Sequence, residues 1–364
     1  MMSDDDDEEV PELVETAEIE EEEKKKKIPV TILCGFLGAG KSTIVAQLVA
    51  EASGRRIAVV TNEFGESGGL ESVITAGGGA TTWAAETVEL RNGCVCCSVK
   101  DELATSIEGL AERTDPDAII VELSGAANPG PVAESFWLDE SLESAIELDA
   151  VVCVVDCAYP RSLEYYEARR QIAYADRLVL SKPDIAPDVG KIERRLQTMT
   201  SAETRRATRG AGLRGWLLAT GCYGENAKRE IRRVLDTPGA FGSGAVHETA
   251  FTTVSVFQED RCVDLEKVRA FLASLLWGAA EAERSSSSSS SVEIFRVKGM
   301  VRAGACYYLV QGVGEVFEVT PMRPEDARSL DFPLGFLLFI GTNLDRNRLE
   351  KEFALCCHHH NNNK

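Results

Sequence analysis

Residues 28–43 read Ile28-Pro-Val-Thr-Ile-Leu-Cys-Gly35-Phe-Leu-Gly38-Ala39-Gly40-Lys41-Ser42-Thr43. An apolar, β-branched run leads into a G-x-x-x-x-G-K-S loop, and Thr43-Ile-Val-Ala-Gln-Leu-Val-Ala50 then suits a helix. Strand, loop and helix in this order make a phosphate site. Gly35, Gly38, Ala39 and Gly40 let backbone N–H groups turn inward around phosphate oxygens. Lys41 reaches the β/γ-phosphates, Ser42 holds Mg²⁺, and Thr43 opens the helix whose N-terminus favours the anion.

Working outward, apolar runs Ile57-Ala-Val-Val-Thr61, Ala118-Ile-Ile-Val121, Ala150-Val-Val-Cys-Val-Val155, Leu178-Val-Leu180 and Trp216-Leu-Leu218 read as strands between helical patterns. Such alternation predicts an α/β fold over 28–236, a mostly parallel sheet flanked by helices, with its ligand beyond the strands' C-terminal ends. A turn-rich linker spans 237–250. Beyond it, 251–355 reads as a smaller α+β unit. Phe251-Thr-Thr-Val-Ser-Val256 is a strand, and a helix with Leu265, Val268, Leu272 and Leu275 on one face follows. Three further strands start near Val292, Ala305 and Val316. Phe336-Leu-Leu-Phe-Ile340 is the last, before a helix start at Asn343-Leu-Asp345. Seven serines at 285–291 read as a surface loop, and 356–364 as a low-complexity end with Cys356, Cys357 and His358–His360 as a metal-capable alternative.

The formal charge is −20 over 364 residues, but residues 1–23 alone carry thirteen acids and no base. That segment, extended to residue 27, lacks the apolar surface to order itself. No basic stripe with interleaved aromatics and no long apolar segment occurs, so neither nucleic acid nor membrane is an expected partner. Eleven cysteines without a secretory leader fit a reducing compartment, the cytoplasm or nucleus. Cys34, Cys153, Cys222 and Cys306 lie in strand-like surroundings and are expected in the core.

Further nucleotide parts can be placed on this frame. Glu122 ends a strand, where an acid orients Mg²⁺ or the attacking water, and Gly125 follows as a close-approach point. Ser181-Lys182-Pro183-Asp184 has the S/N-K-x-D form in which a carboxylate accepts from guanine N1–H and N2–H₂. A turn with a solvated aspartate has the same form. Asn62-Glu63-Phe64-Gly65-Glu66 follows the second strand and suits a loop that senses the γ-phosphate, with Glu63 as a candidate catalytic acid; solvated loop acids are the alternative.

Cys94, Cys96 and Cys97 fall within four residues. Three soft donors this close suit Zn²⁺, and also Co²⁺ or Ni²⁺. A redox dithiol and buried inert thiols are the competing readings. With no histidine nearby in sequence, the ligand set is incomplete, as suits a metal that is loaded and released.

The residues Gly35–Thr43, Asn62–Gly65, Glu89-Leu-Arg-Asn-Gly-Cys94-Val-Cys96-Cys97-Ser-Val99, Glu122-Leu-Ser-Gly125 and Ser181–Asp184 resemble, in order and spacing, the CobW family of metallochaperone GTPases. Arg296-Val-Lys-Gly299, Gln311-Gly312 and Phe339-Ile-Gly-Thr-Asn-Leu-Asp345 resemble that family's C-terminal domain. The likeness is greatest to the eukaryotic zinc-regulated GTPase metalloprotein activators. It implies a P-loop GTPase domain that uses GTP, Mg²⁺ and Zn²⁺ and delivers zinc to a client apo-metalloenzyme. That subgroup's docking motif, Cys-Pro-Glu-Leu-Val, is understood to bind type 1 methionine aminopeptidase. Here the stretch is Val10-Pro11-Glu12-Leu13-Val14-Glu15-Thr16, with Val10 in place of the cysteine. Ser181 stands where the commoner form has asparagine, which is expected to remove a brace of the phosphate loop, with Lys182 and Asp184 retained. The rivals are a nucleotide-regulated zinc store or sensor, a cobalt or nickel insertase, and a plain nucleoside-triphosphatase.

Overall fold

The computed structural model describes residues 27–52, 54–61, 87–89, 107–138, 146–223, 251–258, 262–285, 292–322 and 335–357. Two sheets organise the chain. The first has seven strands in the order β3-β2-β4-β1-β5-β6-β7. They are β1 (Ile28–Gly35), β2 (Ile57–Thr61), β3 (Thr87–Glu89), β4 (Ala118–Glu122), β5 (Ile146–Asp156), β6 (Arg177–Ser181) and β7 (Glu203–Ala207). Every recorded pairing between them is parallel. Helices cover both faces, so the central strands are apolar on both sides and read as continuous Val/Ile runs. Ile32, Val121, Val151 and Leu178 pack on one face, and Leu33, Ile120, Val152 and Val179 on the other.

Helix α1 (Lys41–Ala50) buries Ile44, Val45, Leu48 and Val49 at helical spacing against the second of these faces. Helices α2 (Pro129–Leu138) and α3 (Tyr166–Tyr174) contribute Val132, Phe136 and Ile172 to the opposite core. Helix α4 (Val189–Gln197) is capped by Asp188, whose Oδ1 accepts from the Lys191 N–H at 2.9 Å, and buries Ile192 and Leu196.

The strand expected at Trp216-Leu-Leu218 is instead a short helix, Arg214–Leu217, and the edge strand is Glu203-Thr-Arg-Arg-Ala207. Trp216 and Leu217 are apolar because they plug the core beside β6, whereas an edge strand tolerates a polar sequence.

The second sheet is antiparallel, β11-β10-β9-β12-β8, from β8 (Phe251–Phe257), β9 (Glu293–Ala303), β10 (Cys306–Val313), β11 (Val316–Pro321) and β12 (Phe336–Thr342). Helices α5 (Leu265–Ser285) and α6 (Arg346–Ala354) cover one face through Val268, Phe271, Leu272, Leu349 and Phe353. Asp345 caps α6, accepting from the Asn347 and Arg348 N–H groups at 2.9 and 3.3 Å. On the other face Phe251, Phe295, Val313 and Ile340 join the core of the first sheet.

Cys34, Cys153 and Cys222 are buried as expected. Cys306 is not. It pairs with Ala303 beside the Gly304 turn at the tip of the β9–β10 hairpin and is exposed. Cys356, expected in a low-complexity end, is buried with the second core; its thiol donates to the Lys267 carbonyl at 3.5 Å, and burial raises its pKa to about 11. No helix among the described residues is long and apolar enough to cross a membrane.

Candidate functional site

Parallel register brings the phosphate loop, Glu122 and the loop after β6 to one end of the first sheet. Leu33 pairs with Glu122 and Gly35 with Val154, so the loop leaves β1 level with the carboxyl ends of β4 and β5. Gly35 has φ +149° there, and a Cβ would come within 2.6 Å of the Val154 carbonyl oxygen. Only glycine lets the loop start this close to β5. Gly38 and Gly40 have φ +74° and +96°. Gly40 precedes α1 without a side-chain cap, leaving the first N–H groups of the helix to an anion.

Inside this turn the Lys41 ammonium donates to the Gly35 carbonyl at 2.8 Å. Burial lowers its pKa, and the nearby Glu122 carboxylate opposes that shift. The Ser42 hydroxyl donates to Glu122 Oε1 at 2.7 Å. A hydroxyl and a carboxylate held together at the mouth of an anion cradle form the donor pair a hard cation such as Mg²⁺ prefers. The residues therefore fit a nucleotide with its magnesium.

Three groups brace the loop from β5 and β6. The Ser181 hydroxyl donates to the Ala39 carbonyl at 2.7 Å and lies 3.2 Å from that of Val155. This corrects the expectation that serine at this position removes the brace: β6 runs close enough to the loop for the short side chain to span it. The Lys182 ammonium donates to the Gly38 carbonyl at 2.8 Å and pairs with Asp156 Oδ2 at 2.6 Å. Lys182 has φ +54°, a conformation lysine rarely adopts. Pro183 follows, and Asp184 is exposed at the rim of the site.

On the opposite side Gly125 lies against the loop, where a Cβ would come within 2.8 Å of Leu37 Cα. The Gln171 side-chain amide on α3 donates to the Gly125 and Ala127 carbonyls at 3.2 and 2.9 Å, fixing the segment after β4. The Phe36 ring stacks on Tyr165, with centroids 4.9 Å apart and planes 14° apart. Asp156, Gln171 and Tyr165 were not singled out in the sequence. Asp156 ends an apolar strand run as Glu122 does and was legible by that sign. Gln171 and Tyr165 carry no local signature, because their roles arise from where α3 packs.

Glu63, Cys94, Cys96 and Cys97 lie outside the described residues, as do the Asn62–Glu66 loop and Val10–Thr16. The strands beside them are described. Thr61, the last residue of β2, pairs with Glu122 on one side and with Glu89, the last residue of β3, on the other. Three strand ends are level at the nucleotide end of the sheet. Asn62 follows one directly, and Cys94 comes five residues after another.

A family model described as CobW/HypB/UreG, nucleotide-binding domain matches residues 29–208, and the cobalamin synthesis protein cobW C-terminal domain matches 252–357. Zinc-regulated GTPase metalloprotein activator 1 of Schizosaccharomyces pombe is 32% identical over 346 residues, covering 88% of this chain and 83% of that protein. The zinc chaperone YjiA of Escherichia coli is 30% identical over 337 residues, covering 90% and 98%. The crystal structure of Zn(II)-bound YjiA GTPase superposes with a TM-score of 0.69 at 26% identity, over 91% of this chain and 99% of that one. With both sheets matched and relatives spanning most of its length, the chain belongs to the CobW family of metallochaperone GTPases.

Proposed function

We propose that this chain is a zinc chaperone that uses GTP binding and hydrolysis to hand the metal to a client apo-metalloenzyme. The observation that carries the reading is the level register of Glu89, Thr61 and Glu122. It directs the chain towards the candidate γ-phosphate loop and the thiolates from the end of the sheet that bears the phosphate site. Five residues of extended chain reach about 17 Å, and β3 stands three strand spacings, about 14 Å, from β1. That length supports a thiolate segment able to reach the phosphates.

In this reading Gly35, Gly38, Ala39, Gly40 and Thr43 cradle the phosphates through their backbone. Lys41 leaves the Gly35 carbonyl for the β/γ-oxygens. Ser42 and Glu122 hold Mg²⁺, which when bound neutralises charge developing on the transferring phosphoryl group. Glu63 and Glu122 are the candidates for positioning the attacking water. Gly125 admits the loop, Lys182 braces it from the side that takes the base, and Asp184 reads the guanine edge. Cys94, Cys96 and Cys97 take the zinc as cargo, in a form ordered with Asn62–Glu66 in the GTP state and loosened after hydrolysis. Type 1 methionine aminopeptidase is the proposed client, engaged through Val10–Thr16.

Coupling of this kind is reciprocal: if GTP tightens zinc tenfold, zinc tightens GTP tenfold, about 1.4 kcal/mol. Zinc titrated into the chain with and without a non-hydrolysable GTP analogue tests it. A tighter site with the analogue, abolished by Cys96→Ser/Cys97→Ser, is expected. Equal affinities would remove the mechanism.

A further inference from the structure

The outer strand of the first sheet, β7, is rimmed with positive charge on a molecule that is otherwise acidic. Residues 189–214 hold seven Lys or Arg and two acids, within a chain of net charge −20. Both acids are engaged: Glu193 takes a bidentate pair from Arg206 at 2.7 and 2.8 Å, and Glu203 accepts from the Trp216 indole at 2.7 Å. Lys191, Arg194, Arg205, Arg206 and Arg209 are exposed. Arg205 and Arg206 alternate across the strand, Arg205 over the Trp216 ring and Arg206 beside α4, so cations flank both faces of a strand that is outermost among the described residues. Charged residues alone blunt an edge against pairing. They do not account for a field of one sign in a chain of the opposite sign.

The chain carries its own complement. Residues 1–23 hold thirteen acids and no base. They enter the fold at Ile28, the first residue of β1, and β7 lies three strands away in the order β1-β5-β6-β7, about 14 Å. The strands are parallel, and their register sets Glu203 level with Leu33, five residues or about 17 Å along β1 from Ile28. Twenty-six extended residues reach about 85 Å, several times the distance needed. We propose that the acidic N-terminal segment docks along the outer edge of β7, held by the cations of residues 189–214. The contact is intramolecular and electrostatic, so it is independent of protein concentration and weakened by salt.

The test is photo-crosslinking in the full chain, with a benzophenone amino acid in place of Ala17 and the products mapped by mass spectrometry. Crosslinks to residues 189–214 within one molecule are expected. Their yield should fall at least tenfold in 0.5 M NaCl and in the Lys191→Glu/Arg194→Glu/Arg205→Glu variant. Replacing Asp4–Asp7 with Asn and Glu8 and Glu9 with Gln leaves the folded residues untouched and should reduce the yield likewise. Crosslinks elsewhere on the chain, crosslinks indifferent to these changes, or crosslinks joining two chains would each overturn the proposal. GTP binding and zinc binding are not read out, so this result stands apart from the chaperone reading.

Discussion

At the level of single residues, the phosphate loop is held by contacts that are short in space and long in sequence. The Ser181 hydroxyl reaches Ala39 across 142 residues, and Ala39 is itself buried. Ser181→Ala leaves that carbonyl without this donor, at a cost of about 1 kcal/mol. This corresponds to a fall in melting temperature of about 2–4 °C and, where the loop feels it, about fivefold in GTP affinity. Thermal unfolding beside titration of a fluorescent GTP analogue checks both; an unchanged affinity would show that the brace serves stability alone. Gly125→Ala pushes a methyl group into Leu37, and overpacking of this kind costs about 1–3 kcal/mol. Because Leu37 belongs to the loop, the loss should appear in GDP affinity measured by calorimetry. The tetrapeptide at 181–184 stood out in the sequence as a candidate base-reading segment, but the distance that Ser181 spans was not legible there. Residue type reveals chemistry, whereas reach depends on how closely β6 passes the loop.

Among the elements, α3 joins the two halves of the molecule. Its Gln171 holds the segment after β4, while Arg170 pairs with Glu293 on β9 at 3.1 Å and the Tyr166 hydroxyl donates to the same carboxylate at 2.6 Å. Gln171→Met keeps the bulk and removes the donors to Gly125 and Ala127. The expected outcome is a several-fold lower kcat for GTP with little change in KM, because the segment that must hold Glu122 in place loosens while the phosphate loop stays intact. Steady-state kinetics at saturating and limiting GTP separate the two, and a change confined to KM would count against it. Among the described residues, ten of the twelve strands coincide with runs read as strands in the sequence. The exceptions are β3, three residues that only adjoin the motif beginning at Glu89, and β7, whose Thr-Arg-Arg interior carries no apolar period, and the helical Trp216-Leu217 pair mimicked a strand because a short buried run has no periodicity to distinguish the two. The thiolate cluster was a candidate metal site from its spacing alone. That it follows a strand level with Glu122 emerged only from the register of β3.

Across the whole molecule, the two sheets are fused by buried charge as well as by Phe251, Phe295 and Tyr174. Asp176, at the start of β6, is fully enclosed and pairs with the Arg296 guanidinium and with Lys298 Nζ at 2.9 Å, both from β9. It also accepts from the Val151 N–H at 2.9 Å, and Arg296 donates to the Tyr174 carbonyl at 2.5 Å and lies over the Tyr223 ring. Burial by itself would raise the Asp176 carboxyl, but the two cations outweigh it and hold the group well below the ordinary carboxylate range. A pKa lower in the folded than in the unfolded state contributes stability that is fully present above the unfolded value, about 3.9. That contribution is lost as pH falls from there towards the folded value. Denaturant unfolding should therefore give a stability that is insensitive to this group between pH 8 and 5 and declines below about pH 4. Asp176→Asn strands two buried cations and should cost about 3–5 kcal/mol at pH 7, with a shallower acid limb than the parent. Replacing the trio together, Asp176→Leu with Arg296→Met and Lys298→Met, removes the charges and the penalty as a set, so it should recover much of that loss. A triple variant as unstable as Asp176→Asn would mean that packing at this junction, rather than the pairing of its charges, joins the sheets.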